Sequence, residues 1–186
     1  MIKKAKGFSL IELVIAILVI GVIAAVGGSI LIFTLQHAMY TPNKLSMDLL
    51  ASDAMDKITD GDSAAKGLRF ARQITAVAAN SLTYIDQDGK TVVVTLNTGT
   101  NQLARTINAA ADNNFLRYQS GAGISIVVGR NSALFLYYDS GGNITAVPAN
   151  VRRIEINAKA LTGSGSFAGR QGQSEFSTDV YVPKYQ

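Results

Sequence analysis

From Leu13 to Asn43 no side chain carries a formal charge. As a helix that stretch would be about 46 Å long. Its most apolar part, LVIAILVIGVIAAVGGSILIFTL from Leu13 to Leu35, would extend about 34 Å as helix. That length crosses the ~30 Å hydrocarbon core of a bilayer. Leu, Ile, Val and Ala fill nearly every position, so no polar face is left for water, whereas a surface helix of a soluble protein keeps one. The run therefore predicts a membrane span. Lys3, Lys4 and Lys6 stand just before it, and the residues beyond carry both signs of charge. The positive-inside rule then puts the N-terminus in the cytoplasm and the bulk of the chain outside. A secretory signal peptide also starts basic and turns apolar, but its apolar region runs only about 7–15 residues and closes on a small-x-small cleavage site. This run is longer and has no such site followed by polar sequence at its far end.

The 186 residues leave room for one domain and one extended element outside it. Lys and Arg number 17 against 13 Asp and Glu, and setting aside Lys3, Lys4 and Lys6 leaves 14 against 13. A basic body of the kind that grips nucleic-acid phosphates is absent, so no specific nucleic acid is expected. With no cysteine, disulfides, thiolate metal sites and cysteine nucleophiles are excluded. A single histidine, His37, removes most catalytic triads and zinc sites, and it reads as a residue of the membrane–water boundary. No nucleophile has an identifiable base and no Gly-rich segment has a phosphate-loop pattern. The composition predicts no enzyme, no cofactor and no metal.

Glu12 sits among apolar neighbours in Phe8-Ser9-Leu10-Ile11-Glu12-Leu13-Val14. A carboxylate at the start of a span either lies among headgroups or has a partner, because charge within a bilayer is expensive. The lysines aside, the local sequence offers Glu12 none. Lys6-Gly7-Phe8-Ser9-Leu10-Ile11-Glu12, followed by the apolar run with Gly21, Ala24 and Ala25, resembles the processing site and N-terminal helix of type IV prepilins and type II secretion pseudopilins. The resemblance covers about the first quarter of the chain. It implies cleavage after Gly7 by a membrane-embedded prepilin peptidase and methylation of the new amine of Phe8. It also implies a place in a filament, with Ser9 and Glu12 at the assembling end. Lys3, Lys4 and Lys6 would hold the leader at the cytoplasmic face, and Gly7, lacking a side chain, suits an extended substrate strand. The partner of Glu12 would be the charged N-terminus of a neighbouring subunit, fixing the stagger between helices. Two departures favour a minor pilin or pseudopilin over a main structural subunit. Ser29, behind Gly27-Gly28, stands where major pilins often carry proline, and there are no cysteines to close a C-terminal loop.

Pro42 predicts an interruption just past the span. Met47, Leu50, Ala54 and Ile58 then recur at spacings of three and four, a helix laying one face on a head, with Thr59-Asp60-Gly61-Asp62 as its stop. Leu68 to Ile74 (LRFARQI) reads as further helix in preference to the lead into a sheet. From Ser81 the pattern turns to strands: Leu82–Ile85 and Thr91–Leu96 around the turn former Asp86-Gln87-Asp88-Gly89-Lys90, then Gln102–Ile107. Ala133–Tyr138 and Ile144–Val147 flank Asp139–Asn143 as a second hairpin, followed by Val151–Ala158 and Asp179–Val182. Residues 108–132 read as irregular with a short strand inside Gly123–Val128, and Thr162–Ser174, dominated by Gly and Ser, reads as a loop. The expected fold is α+β: a long N-terminal hydrophobic helix packed on an antiparallel sheet head. The expected organisation is a leader at 1–7, the long helix at 8–60 and the head at 61–186.

Other chemistry weighs less. Asp86-Gln87-Asp88-Gly89 suggests calcium, but an EF-hand loop needs further oxygen ligands and a closing glutamate that do not follow, so both Asp-Gly segments read as hairpin turns. Arg152 and Arg153, adjacent on a strand, point to opposite faces and read as a solvated arginine and an ion-paired one. Tyr84, Tyr137, Tyr138, Tyr181 and Tyr185 read as packing residues with wet hydroxyls. The function expected from the whole is a minor pilin. Its partners would be other pilin subunits, prepilin peptidase, an inner-membrane assembly platform and, before assembly, membrane lipid. The alternatives are a pseudopilin of a secretion system and a single-span membrane-anchored periplasmic binding domain.

Overall fold

The computed structural model describes residues 9–116, 124–129, 132–162 and 173–183. The chain divides into two compact units, Met1–Thr41 and Pro42–Gln186. One helix, α1 (Leu10–Thr59), occupies most of the first unit and opens the second. It includes Pro42 without the expected interruption. A proline removes one amide donor, and the i→i−4 bonds of the turns on either side carry the helix past it.

In the second unit α1 buries Met47, Leu50, Ala51, Ala54, Met55 and Ile58, one stripe at spacings of three and four. The Asp60 and Gly61 amides both close on the Asp56 carbonyl, at 2.8 and 3.1 Å, and Gly61 turns the chain away with φ +89°. Gly61 is bridged to Lys66 and the Gly67 amide donates to the Asp60 carbonyl at 3.1 Å, a tight crossing. A Cβ on Gly61 would strike the backbone of Ala65, Lys66 and Gly67, and one on Gly67 would strike that of Thr59 and Gly61.

Two antiparallel sheets follow. The first runs β1 (Ala71–Ala78), β2 (Ser81–Asp86), β3 (Thr91–Asn97), β4 (Gln102–Ile107), β5 (Ala110–Ala111), each strand beside its predecessor. The second is built on β8 (Arg153–Thr162): β6 (Ile124–Val128) and β7 (Phe135–Tyr138) share one of its edges, and β9 (Gln173–Tyr181) pairs with the other. Inward rows of both sheets meet the end of the helix stripe in the main core, with Leu82, Val92, Val94, Leu103, Phe135, Ile154, Ile156 and Val180 packed with Ala54, Met55 and Ile58, while Met47, Leu50 and Ala51 pack with Ala160 in a second cluster. The fold is α+β, a long helix with antiparallel sheets.

Leu68–Ile74 is not helix beyond a single 3₁₀ turn at Leu68–Phe70; β1 begins at Ala71. The misleading period has a cause. Register shifts between Ala71 and Gln73 and between Ile74 and Ala76 insert extra residues, so burial falls on Leu68, Ala71 and Ile74, three apart as on a helix, within a bulged strand. The return arm after Asp139–Asn143 is a single bridge, Tyr138 to Ile144, before the 3₁₀ turn Pro148–Asn150. Ile144 and Val147 are 72% and 52% exposed, so no apolar face holds that arm as a strand. β8 and β9 run longer than their apolar cores suggested, and the rest of the Gly- and Ser-rich loop, at 163–172, lies outside the described residues.

Candidate functional site

The N-terminal end of α1 is built by two polar side chains. The Ser9 amide donates to Glu12 Oε2 at 3.0 Å, and the Glu12 amide donates to Ser9 Oγ at 3.3 Å. This reciprocal pair is a capping box, Ser-x-x-Glu at the helix N-cap and third position. Glu12 thus has the local partner that the bare sequence did not offer. A carboxylate in the first turn also meets the positive end of the helix dipole. Gly7, Phe8, Lys3, Lys4 and Lys6 lie outside the described residues, as do Tyr185 and the side chain of His37.

Beyond the cap, Leu10–Leu35 is 26 residues with mean hydropathy 2.9 and no buried residue, long and apolar enough to cross a membrane. Its two hydroxyls bond back to the helix, Ser29 to the Val26 carbonyl at 2.7 Å and Thr34 to the Ile30 carbonyl at 2.8 Å. Neither therefore needs an outside partner in an apolar medium. Gly21, Gly27 and Gly28 have open space where a side chain would stand, and α1 passes through the glycine pair unbroken.

The head's acidic turns are occupied by their own backbone. Asp86 accepts from the Asp88 and Lys90 amides through Oδ1, at 3.0 and 2.8 Å, and from the Lys66 amide through Oδ2 at 3.1 Å, while Gly89 supplies φ +80°. Asp139 accepts from the Asn143 and Gly141 amides, bonds that hold its carboxyl below the ordinary range, Asn143 foremost. Among the described residues no three metal-ligating side chains gather. Arg153 lies 3.9 Å over the Tyr138 ring and 3.2 Å from Asp179, and Arg152 donates to the Val151 and Ala149 carbonyls.

Two tyrosines differ from expectation. Tyr84 and Tyr137 are buried, with hydroxyls donating to protein carbonyls: Tyr84 to Lys66 at 3.0 Å, Tyr137 to Ala78 and Ser81 at 2.9 Å. Burial pushes both phenols well above their usual range. Tyr181 is 72% exposed.

The charged centre that sequence reading passed over is Arg105, 2% exposed. Its guanidinium holds Asp112 through Nε and Nη2 at 2.8 and 2.5 Å and Asp62 through Nη2 at 2.6 Å, and it covers the Phe115 ring at 4.7 Å. Lys57 on α1 donates to the Phe115 carbonyl at 2.7 Å. Together they clamp the crossover after β5 and the loop after α1 to the first sheet. The alternation of β4 carried a signal, since Arg105 falls in phase with inward Leu103. Its partners had none: Asp112 lies seven residues on, past β5, and Asp62 lies 43 residues back.

The family model described as the prokaryotic N-terminal methylation motif matches residues 2–28. That motif is the hallmark of type IV pilins and pseudopilins. Over that segment the chain is similar to type IV pilins and pseudopilins. The match takes in Gly7, Phe8, Ser9 and Glu12 and stops within α1. In general terms the motif implies processing by prepilin peptidase and assembly with other pilins. No curated protein and no solved structure matches the chain.

Proposed function

We propose that this chain is a minor pilin, a subunit of a type IV pilus-like filament. The observation that carries the reading is the coincidence of the methylation motif with the start of α1: the Gly7-Phe8 junction lies one residue before the Ser9 cap, and Glu12 stands in the first turn of a helix able to span a bilayer. In this reading residues 1–7 are the leader, held at the cytoplasmic face by Lys3, Lys4 and Lys6. Prepilin peptidase cuts after Gly7 and methylates the amine of Phe8. Residues 8–60 anchor and assemble the subunit, and 61–186 form a head on the periplasmic side. Before assembly the partner of the helix is inner-membrane lipid; afterwards it is other pilin subunits, delivered through an inner-membrane assembly platform.

Glu12 sets the register. The cap occupies Oε2, and within the first turn the carboxylate attracts a neighbour's terminal amine, so a mis-staggered helix leaves charge unpaired in low dielectric. The test is the intact mass of the protein in sheared surface filaments and in inner membrane. A chain starting at Phe8 with one added methyl group, recovered from filaments, is the expected result. The same trimmed mass confined to the membrane, with loss of exoprotein secretion on deletion, would assign the chain to a pseudopilus. An untrimmed chain starting at Met1 beside active peptidase would leave a plain membrane anchor.

A further inference from the structure

The outward faces of the two sheets differ in charge. Side chains alternate across a strand, and Leu82, Val92 and Leu103 turn inward, so the register lays two outward rows across β2, β3 and β4. One row is Thr83, Val93 and Thr106; the other is Ser81, Thr95 and Ala104. All six are at least partly exposed. None of the outward residues described on these three strands carries a formal charge. Threonine and valine suit a half-wet strand, so their presence alone decides nothing. The missing charge does. On the second sheet the outward row of β8 and β9 sets Lys159 beside Glu175 and Glu155 beside Asp179, the mixed charge of a face left to water.

Nucleic acid and anionic lipid need cations that the first face lacks. A globular protein is a poor match too. Three short strands offer about 300 Å², against the ~800 Å² per partner of a stable complex, and no aromatic or arginine stands among the described outward residues as an anchor. What the face offers is hydroxyls, each able to donate and to accept, with the small apolar groups of Val93 and Ala104 between them. The Ser81 and Thr95 hydroxyls lie 3.2 Å apart and bond each other. Threonine and valine are stiff at χ1, so covering them costs little side-chain freedom. A neutral polysaccharide presents the same mixture, hydroxyls at a fixed repeat with C–H faces between, and its repeat makes each further contact intramolecular.

We propose that the outward face of β2, β3 and β4 binds neutral polysaccharide. None of its residues belongs to α1, so the binding role stands apart from the filament reading and gives the head a ligand of its own.

Retention of the full chain on insoluble cellulose and chitin, in a zwitterionic detergent free of sugar headgroups, tests this directly. The expected result is saturable retention on at least one of them, the same at low and high salt because no ion pair is used. Thr91→Lys with Thr95→Lys, both exposed on β3, should weaken it at least about tenfold. Ser177→Lys, exposed on the second sheet, should leave it unchanged. Near-UV signal from Tyr84, which β2 turns inward, reports that the head stays folded. Should the lysines disturb the sheet, Thr95→Val keeps the shape without the hydroxyl and should weaken retention about fivefold. No saturable retention on either polysaccharide would overturn the proposal, as would retention that salt abolishes. Parent-strength binding by the folded lysine pair or by Thr95→Val, or an equal loss in Ser177→Lys, would move the site off this face and overturn it too.

Discussion

The two units of the chain use charge and apolar surface in opposite senses. In the first, Leu10–Leu35 turns its apolar side chains outward on every side and keeps its carboxylate, Glu12, at the open end. In the second, the sheets turn apolar rows inward and enclose Arg105 and Asp86 among them. A bare apolar surface this large is stable only against another apolar medium, and an enclosed charge only when its partners are enclosed with it. The first unit therefore depends on what lies outside the chain, whereas the second closes on itself.

The largest expected effect breaks the first unit alone. Glu12→Ala should reduce filament incorporation on the order of a hundredfold, the loss expected when one member of a charge pair in low dielectric is removed. The head's tyrosine near-UV signal should stay as in the parent chain. Incorporation at the parent level would mean that Glu12 is only a helix cap.

Arg105→Met makes the converse test. It leaves Asp112, whose side chain is 7% exposed, buried without its cation, and such losses cost about 3–5 kcal/mol. Denaturation of the detergent-solubilised full chain should show the drop, while cleavage after Gly7 proceeds normally. An unchanged midpoint would mean that water reaches Asp112 and that the head is not closed there.

Titration sharpens the same contrast. Burial raises the phenols of Tyr84 and Tyr137 in the folded head. Their contribution is therefore fully present below the ordinary tyrosine value of about 10 and is lost as pH rises beyond it. Tyrosinate absorbance should lag for three of the seven tyrosines, Tyr138 through its hydrogen bond to Glu155 and these two through burial, and the signal of these two should appear together with unfolding; ionisation of Tyr84 and Tyr137 in step with the exposed tyrosines would argue against enclosure. At the acid end Asp62 works the other way. Burial opposes its charge, but the hydrogen bond and charge of Arg105 and the Ala64 and Ala65 amides outweigh it and hold its carboxyl low. That stability is present above about pH 4 and lost as pH falls through the lowered folded value. In Arg105→Met the acid loss should shrink.

Legibility in the sequence divides along the same line. An all-apolar run announces itself residue by residue, and so does a turn such as Asp86–Gly89, whose carboxylate bonds amides two and four residues away. The hairpin of β2 and β3 and the stripe from Met47 to Ile58 follow from local period. Failures came where one element's period was reset by its neighbours, as in bulged β1, or where an arm lacked an apolar face, as at Ile144–Val147. Arg105 was beyond reach because its meaning lies in Asp62 and Phe115, which only the finished fold brings to it.

The smallest expected effect separates the two duties of the first turn. Ser9→Ala removes the hydroxyl that accepts from the Glu12 amide at 3.3 Å and leaves the Ser9 amide free to keep Glu12 Oε2. Loss of such a cap costs about 1 kcal/mol, so hydrogen exchange at the Glu12 amide should quicken about fivefold, and Ser9→Thr should restore it. Filament incorporation should fall far less than in Glu12→Ala. Equal losses would mean that Glu12 serves assembly by holding the helix end in place, and that the carboxylate has no partner of its own in the neighbouring chain.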